Sequence, residues 1–182
     1  MKPLDTLSQY REVFTFPIED YYKRVGFDFD KIPFSMLAHE YMEDYQEKSY
    51  ACDLHSDVLD VVNKAKNLGF SQTVLSASKM DYLLKQMETL HVDDLFDSIY
   101  GINDIYAKSK VELAHAFKQT CSLDDEIYFV GDSVHDYEVA KSIGAKCILV
   151  TTGHQNRATL ESVNVPVMDS LMESLDLIYE RD

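Results

Sequence analysis

Four residues stand where their types and spacing could support phosphate and metal chemistry. Asp132 and Asp136 flank Ser133-Val134-His135 directly after the apolar run Ile127 to Val130. Asp132 falls at the carboxyl end of an expected strand, Ser133 is placed to N-cap the following helix, and Asp136 lies one turn in, so both carboxylates can face one cleft. Oxygen ligands at that spacing suit Mg²⁺, which prefers octahedral oxygen coordination and retains several waters. The same acidic first turn also fits a plain helix-dipole role, worth about 0.3–1 kcal/mol per carboxylate. Ser76 occupies the matching place after Gln72-Thr73-Val74-Leu75. A hydroxyl there, backed by free backbone N–H groups, makes a phosphate cradle and equally an ordinary N-cap. Lys110 runs against local rules. Ser109 and Glu112 spell a capping box that fixes a helix start, which puts Lys110, with Lys108 just before it, at the positive end of the dipole. Such a conflict marks a functional demand, and a lysine aimed at phosphate and carboxylates would meet one; the other reading is an exposed lysine that tolerates the mismatch.

A second acidic pair, Asp28-Phe29-Asp30, has the spacing of a nucleophile and its acid/base partner. Its setting is poor for that role. The preceding Tyr21-Tyr22-Lys23-Arg24-Val25-Gly26 would bury Lys23 and Arg24 in a central parallel strand, where near-continuous apolar sequence is required. Lys31-Ile32-Pro33 follows in place of a sharp glycine turn, and proline removes a backbone donor. The stretch reads instead as the tail of one helix, a turn and the approach to the next, with both carboxylates in solvent.

The elements that must position these residues change character near residue 51. Before it the pattern gives helices and turns only: Pro17 and Gly26 bracket one short helix, and Ser35 is placed to cap a longer one with Leu37, Tyr41 and Tyr45 on one face. Tyr41, Tyr45 and Tyr50 read as helix packing. After it, helices and strands alternate. Ser56 is placed to cap a helix striped by Val58, Val61, Val62, Ala65 and Leu68 and ended by Gly69. Then come the strand QTVLS, the helix ASKMDYLLKQMETL, a brief SIYG strand, the helix SKVELAHAFKQT, the strand EIYFVG, the helix SVHDYEVAKSIG and the strand CILVTTG. That alternation implies a mostly parallel, doubly wound sheet, whose ligands bind beyond the carboxyl ends of its strands.

The 182-residue chain, 46% hydrophobic and 12% aromatic, is long enough for one core with a small second lobe. A formal net charge of −15 disfavours a nucleic-acid or anionic-membrane surface and leaves small molecules or proteins as partners. Cys52, Cys121 and Cys147 are scattered, with no CxxC, and read as reduced thiols in a cytoplasmic protein. No apolar run has the length of a membrane span, and no signal-peptide core is visible. His135 and His154, without a second histidine or cysteine at ligand spacing, read as a solvent-facing helix residue and a pocket-rim residue.

Ser76 after one strand, Lys110 opening a later helix and Gly131-Asp132-Ser133-Val134-His135-Asp136 after a third strand follow the order of the second, third and fourth motifs of the haloacid dehalogenase-like phosphatases. The chain resembles the phosphoglycolate-phosphatase-like branch of that superfamily, most visibly in GINDIYAKSK, LSASKMDYLL and VGDSVHDYEVAKSIG. The resemblance implies an α/β fold, a Rossmann-like doubly wound parallel sheet from residue 51 to 182, with residues 1–50 as part of a helical cap. It implies Mg²⁺-dependent hydrolysis of a small phosphorylated metabolite, with neither nucleic acid nor membrane as partner. An aspartate attacks phosphorus, a second aspartate two residues later protonates the leaving oxygen, and water hydrolyses the aspartyl-phosphate. Asp132 would hold the metal, Ser76 and Lys110 the phosphate, and Asp136 would act as a further metal ligand or orient Lys110.

One part of the family pattern, an apolar strand running into Asp-x-Asp-Gly-Thr, is not found here, since Asp28-Phe29-Asp30 fits it badly. The expectation is therefore a sheet without its central first strand and a nucleophile outside this sequence. A truncated enzyme, half of a split gene and a non-catalytic relative each fit that expectation.

Overall fold

The computed structural model describes residues 4–102 and 109–180, except for the side chains of 46 and 47. Residues 4–50 form helices joined by turns, as the pattern predicts. Helix α1 (Leu7–Val13) is capped by Thr6, whose hydroxyl accepts the Gln9 N–H at 3.2 Å. Helix α2 (Ile18–Arg24) follows Pro17 and ends before Gly26, whose φ of +94° lies in the left-handed region that glycine tolerates. Helix α3 (Phe34–Ser49) begins after Pro33, so Ser35 is not its cap. Aromatic packing fixes that start: the Phe34 ring sits 5.6 Å from Tyr22 and 5.5 Å from Phe29. Tyr41 and Tyr45 correct the sequence reading, for they stack on each other 5.6 Å apart on an exposed face instead of packing inward.

Alternation then sets in. Helix α4 (Val58–Asn67) buries Val62 and Ala65 and gives way at Gly69, φ +88°. Its N-cap is Asp57, not Ser56, and the Asp57 carboxylate reaches elsewhere. It accepts the N–H groups of Leu171 at 2.9 Å and Met172 at 3.3 Å, the first turn of helix α9 (Leu171–Tyr179). Strand β1 (Thr73–Lys79) runs further than QTVLS, and helix α5 starts only at Met80, running Met80–Thr89. Strand β2 (Ser98–Ile102) precedes residues 103–108, which hold Lys108 and much of GINDIYAKSK and lie outside the described residues. Helix α6 (Lys110–Thr120), strand β3 (Tyr128–Gly131), helix α7 (Val134–Ser142) and strand β4 (Lys146–Val150) follow where sequence places them. Beyond them are helix α8 (Arg157–Glu161), strand β5 (Val167–Met168) and α9, which the periodicity did not flag. Ser170 with Glu173 was a readable signal for α9: its hydroxyl accepts the Glu173 N–H at 3.1 Å.

Among the described residues the strand pairings are parallel, in two separate sheets, β1–β2 and β3–β4–β5. In the first, Val74 and Ile99 pack into the Leu83–Met87–Val92 cluster of α5 and its flank. Leu75 turns the other way, into a cluster of Ala114 on α6 with Val139 and Ile143 at α7 that also holds Phe129 of β3. Helices on both faces of parallel strands make the fold the expected doubly wound α/β type. Apolar packing between α6 and α7 and the Asp57 bonds from α4 to α9 hold the two sheets in one body. Among the described residues no strand bridges β1 and β3. Burial registers that gap: Cys147 to Val150 of β4 are at most 8% exposed, whereas Val130 of β3 is 37% exposed. Among the described residues no helix is long and apolar enough to cross a membrane.

Leu149, with no exposed surface, packs against Ala140 and Leu160 in this core. Leu149→Ala should cost about 2–5 kcal/mol of unfolding free energy in urea titrations. A loss within experimental error of zero would show that β4 is not the centre of the core.

Candidate functional site

The site is built where β3 ends and α7 begins. Gly131 closes the strand, and a Cβ on it would fall 2.3 Å from Cβ of Asp136, so only glycine lets the helix turn back this tightly. Ser133 caps α7 in a reciprocal box, accepting the Asp136 N–H at 3.3 Å while Asp136 accepts the Ser133 N–H at 3.1 Å. The same Asp136 oxygen, Oδ2, also takes the Ser133 hydroxyl at 2.7 Å and the Asp132 N–H at 3.0 Å. Its other oxygen, Oδ1, takes the Lys110 ammonium at 2.5 Å. Asp136 is 3% exposed and both its oxygens are engaged. Burial pushes its carboxyl up, but the charge and hydrogen bond of Lys110, with the donors from Ser133 and Asp132, outweigh burial and hold it below the ordinary range.

Lys110 opens α6 behind Ser109, whose hydroxyl accepts the Glu112 N–H at 3.3 Å. The cation that conflicts with its own helix dipole is matched across the helix pair by Asp136, and it lies 5.5 Å from the centre of the Phe129 ring. Asp132 points differently. Its Oδ2 accepts the His154 N–H at 2.7 Å, and no described residue hydrogen-bonds to its Oδ1. Its neighbour in that contact is Gly153, where a Cβ would lie 1.9 Å from Oδ2.

The loop after β4 thus belongs to the site, together with Gln155, whose buried side chain accepts the Val134 N–H of α7 at 2.7 Å. Sequence reasoning missed Gly153 and Gln155, although the rule that pointed to the ends of β1 and β3 applies equally to β4. It also missed Tyr10 and Arg11. Tyr10 Oη lies 2.7 Å from Nδ1 of His154, and burial, with Tyr21, Tyr41 and Asp132 nearby, raises its phenol above the ordinary value. His154 is therefore held in the site and does not simply line its rim. His135 is half-buried, its ring 5.2 Å from Phe16 and its Nδ1 3.4 Å from Glu138.

Ser76 lies inside β1 and does not cap α5; its hydroxyl accepts the Ser78 N–H at 3.1 Å. The pairing with β2 shifts register between Leu75 and Lys79, which places Ser76 in an irregular stretch. No hydrogen bond joins it to Lys110, Asp132 or Asp136 among the described residues. Asp28 forms a turn, accepting the Asp30 N–H at 3.1 Å and pairing with Lys31 at 3.0 Å, and both carboxylates are exposed as expected. No group of three or more His, Cys, Asp or Glu suited to a metal occurs among the described residues. Mg²⁺ needs no such group, because it is commonly held by one or two carboxylates with waters and substrate phosphate, and Asp132 fits as one such ligand.

Residues 3–150 match the family model of the haloacid dehalogenase-like hydrolases. Comparison with curated proteins yields no match. Among solved structures, a haloacid dehalogenase-like family hydrolase from Streptococcus pneumoniae is 20% identical, with a TM-score of 0.81, over 97% of this chain and 83% of that one. A predicted phosphatase from Clostridium acetobutylicum is also 20% identical, with a TM-score of 0.77 over the same shares, 97% and 83%. A predicted phosphoglycolate phosphatase from Haemophilus somnus is 17% identical, with a TM-score of 0.60, over 91% of this chain and 68% of that one.

A carboxyl held below its ordinary range adds stability that is complete above the unfolded value of about 3.9 and vanishes as pH falls through the folded value. Asp136→Asn should therefore cost about 3 kcal/mol near neutral pH, as expected when a buried pair loses one partner. The gap to wild type should narrow as pH falls below about 4 in urea titrations. Two stability curves that stay parallel over that range would show that the pair does not carry this linkage.

Proposed function

Because the chain belongs to the haloacid dehalogenase-like hydrolases, we propose that it supplies the phosphate-binding and metal-binding half of a Mg²⁺-dependent phosphatase. The substrates are small phosphomonoesters of the phosphoglycolate type, and the nucleophilic aspartate lies outside these residues. The observation that carries this reading is the buried Lys110–Asp136 pair next to Asp132, at the carboxyl end of β3. The names of two similar structures, a predicted phosphatase and a predicted phosphoglycolate phosphatase, point the same way.

In this reading Asp136 orients the Lys110 ammonium toward the transferring phosphoryl group. Lys110 offsets the negative charge that builds on the phosphate oxygens, and Ser76 donates its hydroxyl to one of them. Asp132 offers Oδ1 to Mg²⁺, which when bound neutralises charge between the attacking carboxylate and the phosphate. Asp136, with both oxygens engaged, is assigned to Lys110 and not to the metal. Residues 1–50 are assigned to a partial cap and residues 51–182 to the phosphatase core. The free cysteines fit a cytoplasmic setting.

What supports an outside nucleophile is the unbridged interval between β1 and β3, the place where the family's first strand would stand. The same interval favours a second reading, a non-catalytic protein that binds phosphate, Mg²⁺ or a partner without turnover.

A synthetic peptide with an apolar strand ending in Asp-x-Asp-Gly-Thr, mixed with the purified chain, separates these readings. Mg²⁺-dependent release of phosphate from a generic aryl phosphate is expected only with the peptide present. Asp132→Asn should abolish it, and Lys110→Ala should lower it about 100-fold or more. Phosphate and Mg²⁺ binding without turnover under any condition would establish the non-catalytic reading. Turnover by the chain alone would overturn the outside nucleophile and move attention to Asp28→Asn.

A further inference from the structure

Asp132 is held in place from a distant part of the chain. Its Oδ2 accepts the His154 N–H at 2.7 Å, and the loop that carries this N–H is gripped by α1. Arg11 donates Nε to the Gly153 carbonyl at 2.8 Å and Nη2 to the Thr152 carbonyl at 2.9 Å. Tyr10 Oη lies 2.7 Å from His154 Nδ1, and the Phe14 ring, 7% exposed, stacks on the same imidazole at 4.8 Å. A seven-residue helix is too short to persist alone, so these contacts and the ring cluster of Tyr10, Phe14 and Tyr21 are what fix it. The coupling runs both ways. With Gly153 packed so closely on Asp132 that a Cβ would overlap Oδ2, the loop cannot shift without moving the carboxylate.

The geometry points to α1 as the positioning element of Asp132. Arg11 and Tyr10 set the 152–154 loop, the His154 N–H then occupies Oδ2, and Oδ1 is left directed for a cation. Neither side chain touches the reacting atoms in this arrangement. A donor fixed on one oxygen prevents the carboxylate from turning about its Cβ–Cγ bond, which is what a ligand held by an outer hydrogen bond requires. Displacement of the N-terminal helical segment is thereby transmitted to the metal-binding carboxylate through a loop that contains no acidic residue of its own. The consequence for the metal rests on the Asp132 assignment above; the positioning itself does not.

Amide spectra of the ¹⁵N-labelled full chain, titrated with MgCl₂, test this. The His154 amide proton, bonded to a carboxylate, should move strongly in Asp132→Asn, and in Arg11→Ala it should move in the same direction. Mg²⁺ affinity in Arg11→Ala should fall about tenfold or more, with Arg11→Lys restoring part of both effects. Tyr10→Phe, which keeps the ring packing and loses only the hydroxyl, should give a smaller shift of the same sign and decides the matter if Arg11→Ala disturbs the fold. A His154 amide that stays in place in both variants overturns the inference, whatever happens to Mg²⁺. If the amide moves while wild type shows no saturable Mg²⁺ binding, the positioning stands and the metal role of Asp132 falls.

Discussion

The interaction on which the rest depends is the buried Asp136 carboxylate with its full set of donors. An ionised carboxylate at 3% exposure is sustainable only if every oxygen is matched, because an uncompensated charge in the interior costs far more than any single helix cap returns. Here the matching groups come from several directions: Lys110 from α6, the hydroxyl and N–H of Ser133, and the Asp132 N–H. Meeting that demand fixes several features at once. It sets the start of α7, it requires glycine at 131, it joins α6 to α7, and it turns the Asp132 backbone so that its side chain points away from Asp136 toward the β4 loop.

The same pair also bears on how two unconnected sheets behave as one body. Charges on the surface between α4 and α9, Lys64 with Asp176 at 2.5 Å, are nearly half exposed and add little. The firmer links are one apolar cluster, which Leu75 and Phe129 share under α6 and α7, and the partly buried hydrogen bonds by which Asp57 caps α9 from outside its own segment. Among the described residues the strands themselves carry no such link. Open backbone edges invite pairing, and parallel strands normally lie between neighbours, so β3 with its exposed Val130 has the burial of an edge strand where its apolar sequence suits an interior one.

Sequence made the signals legible where one residue's local chemistry decides the outcome. Ser109 and Ser133 cap their helices because a hydroxyl beside free N–H groups needs no distant help, and Gly69 ends α4 at a positive φ for the same reason. Ser35, Ser56 and Ser76 carry the same local signal and do not cap, because packing elsewhere moved the helix start: Phe34 is recruited by Tyr22 and Phe29, Asp57 displaces Ser56, and β1 continues past Ser76 to pair Lys79 with Ile102. Tyr41 and Tyr45 share a face as the spacing requires, but whether a partner covers that face is not written in the spacing. Least legible were Arg11 and Tyr10, whose partners lie more than 140 positions away.

Asp132 and Asp136 show why residue type and spacing reach only part of a site. They are the same residue type, four positions apart, and from the sequence Asp132 reads as a metal ligand and Asp136 as either a second ligand or the partner that orients Lys110. Four donors converge on Asp136 and one on Asp132 because the backbone turns back on itself at Gly131 and delivers the N–H groups of 132 and 133 to the later carboxylate. Once those bonds form, Asp136 has no oxygen to spare and holds the Lys110 ammonium in place, whereas Asp132 keeps an oxygen and needs outside support to aim it. The division of labour follows from backbone direction, which a list of carboxylates at i and i+4 does not encode. A cation and a carboxylate with a spare oxygen are thereby set beside each other without neutralising one another.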